Sequence, residues 1–302
     1  MTKVAVVAHA RKSFGGGLPE LRRELARNGF DDPPWAEVAK SRFAPEQVKR
    51  LLDDGAELVF AWGGDGLVQR CIDVMAESDA ALAILPAGTA NLLATNLEIP
   101  SDIAEAVAIG LHGDRRRLDA GRFNGEYFAV MAGAGFDASM IQQADGGLKD
   151  RLGRVAYVWT GSRNLRAKPF KAKITVDGAP WYSGAASCIL VGNVGRLFGG
   201  IEVFDDAEPD DGRLEIGVVN ADGLVDWVRT VARTAVGHAE RSPLVQATTA
   251  KKIKVKLNRK VLYEVDGGDR EKVKSFTVKV APASITICVP KTDRRNDVNG
   301  AV

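Results

Sequence analysis

The first part of the chain alternates short apolar runs with amphipathic stretches. The apolar runs have the length of buried strands, and the stretches between them repeat their apolar positions with helical spacing. The predicted strands are Val4–Ala8, Glu37–Ala39, Leu58–Ala61 and Leu82–Leu85, and the predicted helices are Leu18–Ala26, Ala44–Leu52 and Val68–Met75. Because parallel strands need helical crossovers, this alternation predicts a doubly wound parallel α/β sheet over residues 1–119.

The pattern changes to a period of two after about residue 120. Lys252, Lys254 and Lys256 alternate with apolar residues, and a similar alternation follows Phe276. This rhythm predicts an antiparallel, β-sandwich-like domain over residues 120–290, with one apolar face in each sheet. Two helical stretches, near 154–165 and 224–236, interrupt it, and the polar segment 291–302 is expected to be a flexible tail.

Composition agrees with two globular domains and narrows the classes of protein. The chain has 302 residues, of which 45% are hydrophobic, and a net charge of +2, which does not by itself predict a nucleic-acid partner. Its three cysteines stand in separate apolar runs, which predicts buried thiols in a reducing compartment. We expect a cytoplasmic protein, since no apolar run reaches the roughly 18 residues of a membrane span. A homodimer is left open.

The candidate chemistry begins where the third predicted strand ends. Trp62 is followed by Gly63-Gly64-Asp65-Gly66, and a helical pattern starts at once. Glycines allow a ligand to approach the backbone, and the amides at a helix N-terminus suit phosphate. A carboxylate beside phosphates suggests Mg²⁺, or a hydrogen bond to ribose or to the backbone. The alternative is a glycine-rich turn with a solvated Asp65.

A second turn of the same character follows the next strand. Ile84-Leu85 runs into Pro86-Ala87-Gly88-Thr89-Ala90-Asn91, again a polar turn that opens a helix. Two such turns at neighbouring strand ends fit one ligand crevice at the carboxyl edge of a parallel sheet. The pair therefore predicts a nucleotide-binding protein.

These motifs, taken in order, resemble the diacylglycerol kinase catalytic-domain family, which includes bacterial lipid kinases and the sphingosine and ceramide kinases. The resemblance extends over roughly residues 3–290. It implies transfer of the γ-phosphoryl group of ATP to a lipid hydroxyl, with Mg²⁺, at a membrane surface. The motifs that carry it are Gly63–Gly66, Pro86–Asn91, Leu97–Pro100, Leu118–Arg122, Ala132–Ala138, Val191–Asn193, Ala207–Gly212 and Val265–Gly267.

The resemblance also assigns roles to individual residues. It implies that Asp119 supports the catalytic carboxylate, and that Glu208 and Asp211 form a structural metal site. The acidic segment 208–212 also reads as an ordinary β-turn before a strand. The residues expected at the nucleotide are Gly63, Gly64, Asp65, Gly66, Leu67, Gly88, Thr89 and Asn91, the last of which either caps the following helix or contacts the ligand.

Two departures from the family pattern lie at the nucleotide turns. Leu67 stands where the family usually has Thr, and losing a hydroxyl that bonds a charged phosphate costs about 1.5–3 kcal/mol. The Asn-Pro-x-x-Gly after the first strand is replaced by Ala8–Lys12, a longer basic loop. Either Arg11 or Lys12 holds phosphate, or the loop is simply solvated.

A third departure concerns the catalytic base. The family commonly reads Val-Asp-Gly-Glu, and this chain has Gly268 in the glutamate position. We expect Asp269 to take over, with Asp266 next. Strand alternation would place Glu264 and Asp266 on one face. The alternative is that all three acids decorate a hairpin turn.

A basic stretch remains outside these motifs. Six of the ten residues from 251 to 260 are Lys or Arg, with no acid among them, and Arg115–Arg117 adds a second patch. One interpretation is a solvated strand face that prevents aggregation. The other is a surface for anionic lipid headgroups. Aromatic residues are not interleaved, so no nucleic-acid partner is predicted.

The sequence thus predicts an ATP- and Mg²⁺-dependent lipid kinase acting on diacylglycerol or a related lipid, in the cytoplasm or peripheral on the inner membrane face. Two alternatives remain. A non-catalytic homologue that binds nucleotide or lipid is favoured by Leu67 and Gly268. A soluble-substrate kinase such as an NAD kinase also uses a Gly-Gly-Asp-Gly turn, but fits the later motifs less well.

Overall fold

The computed structural model describes residues 2–135, 169–196, 203–204, 207–220 and 245–291. The chain divides into two compact units, one of Met1–Arg117 together with the segment from Ile285 onward, the other of Leu118–Ser284. The helical stretches predicted at 154–165 and 224–236 lie outside the described residues. So does the expected tail, apart from Lys291.

The first unit contains a parallel sheet. Its strands are β1 (Val4–His9), β2 (Trp35–Val38), β3 (Leu58–Gly63) and β4 (Ala81–Pro86), and β5 (Asp114–Phe123) begins at its end. Its helices are α1 (Gly17–Arg27), α2 (Ala44–Asp53), α3 (Asp65–Met75), α4 (Leu92–Asn96) and α5 (Ile103–His112), with a 3-10 turn at Ser41–Phe43. β1 pairs in parallel with β2 and β3, and β3 pairs with β4. The predicted parallel α/β sheet is confirmed.

The segment from Ile285 onward completes this sheet. Thr286 and Ile287, near the end of the last described strand, pair in parallel with Ala81 and Leu82 of β4. The second domain was predicted to end at residue 290, whereas the segment from Ile285 onward belongs to the first unit. A pairing between strands some two hundred residues apart leaves no local signal in the sequence. Both faces of the sheet are covered, so β1 and β3 are almost entirely buried.

The second unit is antiparallel throughout its described pairings. Its strands are the end of β5, β6 (Glu126–Phe128), β7 (Met131–Ala134), β8 (Phe170–Val176), β9 (Ala179–Ala186), β10 (Cys188–Gly192), β11 (Leu214–Val219), β12 (Val245–Ala250), β13 (Lys252–Val265) and most of β14 (Gly268–Val289). β10, β11 and β12 follow β7 in order, while β13 pairs with β7, β8 and β14.

The period-two prediction holds in β13. Ile253, Val255 and Leu257 are buried in the core of the unit, while the lysines between them are exposed. Phe123 stacks on Tyr263 and on Phe276, with ring centroids 4.5 Å apart in each pair. The predicted antiparallel domain is confirmed.

All three cysteines are buried and free, as predicted. Burial raises the pKa of the Cys71 thiol to about 12 and that of Cys288 to about 11, so neither is a reactive thiolate. Among the helices that the structure describes, none combines the length and apolar character needed to cross a membrane.

Candidate nucleotide site

Three strands of the first unit end at one edge of its sheet. Ala8 of β1 lies beside Trp62 of β3, and Gly63 lies beside Pro86 of β4. Because these strands are parallel, the loops that follow them emerge on the same side. The Trp62 indole Nε1 donates to the carbonyl oxygen of Lys12 at 3.2 Å, which holds the loop after β1 to the end of β3.

The two predicted glycine turns touch each other. A Cβ built on Gly88 would lie 2.4 Å from the Cα atom of Gly64, and one built on Gly64 would lie 2.9 Å from Cα of Gly88. The amide of Ala87 also donates to the carbonyl oxygen of Gly63 at 2.9 Å. Only glycine at both positions permits this approach, so the structure brings the two motifs together in one backbone cradle.

Asp65 fastens the second turn to the first. Its Oδ2 accepts from the amide of Asn91 at 2.9 Å, and its Oδ1 accepts from the amide of Leu92 at 2.5 Å. Burial raises the pKa of the Asp65 carboxyl above its ordinary 3.8, against these bonds and the charge of Lys12, which lower it. Of the three partners that the sequence left open, namely a metal, a ribose and the backbone, the structure supplies the backbone.

Asn91 closes the second turn on itself. Its Oδ1 accepts from the amide of Gly88 at 2.8 Å, and its Nδ2 donates to the Gly88 carbonyl oxygen at 3.1 Å. The backbone of Asn91 is left-handed, with φ of 48°, a conformation that asparagine tolerates better than most residues. Thr89 is exposed at the tip of the turn. Asp65 rather than Asn91 therefore caps the short helix α4.

Leu67 is buried behind the first glycine turn, Gly63–Gly66. Its side chain is only 1% exposed, and its Cδ2 would be 2.6 Å from a Cβ on Gly63. The amides of Leu67 and Val68 both donate to the Gly64 carbonyl oxygen at the start of α3. The residue that replaces the family threonine thus contributes packing at this turn.

A basic loop lies at the same edge. Burial lowers the pKa of the His9 imidazole below 6.5, and the charges of Lys12 and Arg11 lower it further. His9 Nδ1 accepts from the amide of Arg11 at 3.3 Å, which fits a neutral ring. The charge of Lys12 acts on both His9 and Asp65, so this ammonium group belongs to the neighbourhood of the cradle.

The sequence did not predict that His9 and Trp62 hold the basic loop after β1 at this edge of the sheet. The position of His9 at the end of a predicted strand, next to the other two turns, was the signal that could have identified it. No sequence signal marks Trp62, because its role depends on a contact with a backbone carbonyl 50 residues away.

In the second unit, Asp119 is a buried junction. It is 2% exposed, its Oδ1 accepts from the amide of Ala283 at 2.7 Å, and its Oδ2 accepts from the amide of Gly212 at 2.6 Å. Its own backbone is held by Pro209 and by the side chain of Asn193. The carboxylate therefore links the acidic segment 208–212 to Ala283 of β14.

Glu208 and Asp211 are both exposed on that segment. The Asp211 carboxylate accepts from the amide of Arg213 at 2.8 Å, which is the local bond of an acidic turn. The described ranges contain no group of three or more His, Cys, Asp or Glu side chains arranged to hold a metal ion. The metal role of these two residues stays a prediction.

Asp266 occupies a tight turn and points inward. β13 ends at Val265, β14 begins at Gly268, and Asp266 and Gly267 between them have φ of 43° and 75°, as in a two-residue type I′ hairpin. The carboxylate accepts from the amides of Ala129 at 3.1 Å, Val130 at 3.1 Å and Met131 at 2.8 Å. The prediction that Glu264 and Asp266 share one strand face is wrong, because the chain turns at Asp266.

Asp269 and Gly268 lie on the returning strand. Asp269 is exposed and is paired across the hairpin with Glu264. A Cβ on Gly268 would lie 2.7 Å from Nη1 of Arg270. Arg270 is held in place by Glu126, with Nε 2.9 Å from Oε2 and Nη2 2.5 Å from Oε1. An ion pair therefore occupies the space beside the position where the family carries a glutamate.

The first unit is thus an α/β unit in which a helix N-terminus, a glycine cradle and a lysine lie at one sheet edge. Comparison with known families agrees. The model of the diacylglycerol kinase catalytic domain matches residues 18–123, and that of the YegS C-terminal NAD kinase beta sandwich-like domain matches residues 130–289, more than half of the chain. The chain belongs to the diacylglycerol kinase catalytic-domain family, a family of kinases, and the resemblance read from its motifs is confirmed.

Individual relatives support this assignment. The chain is 27% identical over 260 residues to a diacylglycerol kinase of Staphylococcus saprophyticus, with 85% of each chain covered, and 28% identical over 264 residues to one of Bacillus subtilis, with 85% and 86% covered. A crystal structure of a diacylglycerol kinase from Bacillus anthracis has the same fold, with a TM-score of 0.72, 21% identity, and 95% and 96% coverage. An NAD kinase from Archaeoglobus fulgidus in complex with ATP is a more distant fold match, with a TM-score of 0.53, 12% identity, and 94% and 93% coverage.

Proposed function

We propose that this protein transfers the γ-phosphoryl group of ATP to a free hydroxyl of diacylglycerol or a related lipid. The observation that carries the proposal is the cradle formed by Gly64 and Gly88, with Asp65 fastening one turn to the other, in a member of a lipid-kinase family. The relatives named diacylglycerol kinase in two bacteria support the choice of lipid.

The phosphates of ATP would lie against the backbone of the cradle. The N-terminus of α3 and the exposed turn at Thr89 offer hydrogen-bond donors, and Lys12 adds a positive charge. A side chain on Gly64 or Gly88 would collide with the other turn and disrupt the cradle on which the phosphates would lie. The residues present therefore fit a polyphosphate.

Mg²⁺ would neutralise charge that builds up on the phosphates during transfer. Asp65 is the carboxylate at the cradle, and both of its oxygens keep lone pairs after accepting one amide each. Mg²⁺ is commonly bound through one or two carboxylates plus substrate phosphates and water. A single carboxylate at the cradle fits that mode of binding.

In the proposed reaction, the lipid oxygen forms a bond to the γ-phosphorus as the bond from that phosphorus to the β–γ bridging oxygen breaks. ADP leaves, and the hydroxyl proton passes to a carboxylate. We assign this carboxylate to Asp269, which is exposed. Asp266 is the second candidate and ranks lower because its oxygens already accept three amides. Phosphoryl transfer depends mainly on positioning and charge neutralisation, so a missing glutamate at 268 is compatible with activity.

In the second unit, Glu208 and Asp211 remain our candidates for a structural metal site, and Asp119 supports the same segment. The substrate lipid lies in a bilayer, so the enzyme would act as a peripheral protein on the cytoplasmic face of the membrane. Phosphate transfer into micelles tests neither the metal site nor the position at the membrane.

The test is transfer of labelled γ-phosphate from ATP into mixed lipid micelles. We expect label in the lipid phase from the parent protein and from Asp54→Asn, an exposed carboxylate on the same unit, and loss of label in Asp65→Asn. Thermal denaturation of all three proteins separates misfolding from lost chemistry. No transfer from the parent to any lipid would contradict the proposal.

The same assay distinguishes the alternatives. Label in NAD rather than in lipid would identify a soluble-substrate kinase. ATP binding without transfer would favour the non-catalytic homologue, for which Leu67 and Gly268 are the motivating residues.

A further inference from the structure

Six exposed lysines of the second unit lie on one face of its sheet. Lys256 of β13 is directly opposite Lys173 of β8, and Lys252 is directly opposite Lys279 of β14. Residues opposite each other on paired strands project to the same side of a sheet, and so do residues two apart on one strand. The resulting lysine face consists of Lys171, Lys173, Lys252, Lys254, Lys256 and Lys279, all exposed.

None of the residues registered opposite a lysine of this face is acidic. Lys254 lies between Thr175 and Thr277, and the other register positions on the face are Pro180, Ser183, Ala185 and Ser275. Within the described ranges, none of the six ammonium groups is in an ion pair. Asp177, in the turn after β8, accepts from the amides of Lys251 and Lys252 through its Oδ1, so a single carboxylate lies at the Lys252 end of the six-lysine face.

Protection of a sheet edge does not explain these lysines. β13 pairs with β8 on one side and with β14 on the other, so Lys252, Lys254 and Lys256 stand on an interior strand. Like charges directly opposite each other destabilise a sheet, and the face contains two such pairs. The opposite side of the same strands is buried in the core, which holds the charges in a fixed array.

We propose that the lysine face is a docking surface for an anionic lipid bilayer. A sheet face with long cationic side chains and Ser and Thr donors matches a plane of phosphate headgroups in charge and in hydrogen bonding. Nucleic acid is a poorer match, because no register position on the face is aromatic, and Trp181 and Tyr182 of β9 pack against the core instead. This inference goes beyond the proposed kinase reaction and is tested by binding alone, so failure of one leaves the other standing.

The experiment measures sedimentation of the full-length protein with vesicles of phosphatidylcholine alone or mixed with phosphatidylglycerol. The test variant is Lys173→Gln/Lys254→Gln/Lys256→Gln. The matched control is Lys40→Gln/Lys49→Gln/Lys291→Gln, three exposed lysines outside the second unit with the same total charge change. Circular dichroism and thermal denaturation check that both variants fold.

We expect binding of the parent to the anionic vesicles only, weakened by high salt. Each lysine near an anionic surface contributes about fivefold to binding, so the test variant should bind about a hundredfold more weakly. The control variant should bind like the parent. An equal loss in both variants would show a general charge effect and overturn the docking surface. The proposal would also be overturned if the parent did not bind anionic vesicles, or if the lysine face bound single-stranded RNA more tightly than vesicles.

Discussion

The Cα atom of Gly64 lies 2.4 Å from the point that a Cβ on Gly88 would occupy, although the two glycines belong to turns 24 positions apart in the sequence. The contact joins the ends of two neighbouring parallel strands and leaves no space for a side chain on either glycine. Asn91 Oδ1, which closes the second turn, would also lie 2.6 Å from the added Cβ. The cradle therefore depends on glycine at both positions.

Replacing Gly88 by Ala should disturb both stability and nucleotide binding. Overpacking of this kind costs about 1–3 kcal/mol, and the displaced turn would no longer face the phosphates. Thermal denaturation and titration with ATP measure the two effects. Gly66→Ala is the stability control, because its Cβ would meet only Ser41 Oγ at 3.8 Å. Equal stability of Gly88→Ala and the parent would contradict the close contact.

Replacing Leu67 by Thr should lower stability without improving catalysis. The leucine side chain is buried against Gly63, so the change removes packed methyl groups and buries a hydroxyl, at a cost of about 1–3 kcal/mol. Leu67→Met conserves the volume and should cost less. A hydrogen bond from the threonine hydroxyl to a charged phosphate would be worth about 1.5–3 kcal/mol. A tenfold or greater rise in kcat/KM for ATP in Leu67→Thr would therefore show that the hydroxyl reaches the phosphates.

Substitutions of Asp266 and of Asp269 should have different effects, the first on stability and the second on catalysis. Asp266→Asn removes charge from a buried acceptor of three amides and should destabilise the protein by about 2 kcal/mol. Asp269→Asn changes an exposed residue and should leave the unfolding midpoint near that of the parent while lowering kcat for lipid phosphorylation. Urea denaturation and the transfer assay provide the two measurements. Full activity in Asp269→Asn would remove this residue from the mechanism.

Asp119 should be essential for the stability of the segment 208–212. Its carboxylate accepts the amides of Gly212 and Ala283, and Asp119→Asn should cost about 3 kcal/mol, because one amide donor would then face another. Glu208→Gln, on the same segment but exposed, should change stability by less than about 0.5 kcal/mol. Chemical denaturation in urea tests both. A shift of similar size in the two variants would argue against the junction.

His9 should make stability depend on pH below 6.5. Burial and Lys12 lower the pKa of His9 in the folded protein, so the unfolded chain binds the proton more readily. The contribution of His9 is therefore present above pH 6.5 and is lost as the pH falls through the lowered folded-state value. Relative to His9→Gln, the parent should lose stability in that window, as measured by thermal denaturation at a series of pH values. Parallel curves for the two proteins would rule out this linkage.

Much of the fold followed from local patterns. Short apolar runs and helical spacing located β1, β3 and β4, since a buried strand must be apolar over its whole length. The Asp266-Gly267 dipeptide was itself a hairpin signal, and strand alternation was the wrong rule to apply across it. The return of Thr286 and Ile287 to the first sheet had no such local signature.

The sequence by itself determined the two glycine turns, their place at the ends of neighbouring strands, and the family that these motifs define. Only the tertiary structure decided what each carboxylate does. Asp65 and Asp119 serve backbone amides 26 or more positions away, Asp266 serves amides more than a hundred positions away, and Asp269 faces solvent. The residue type is the same in all four cases, and the partner of a carboxylate depends on which distant donors folding brings within about 3 Å of it.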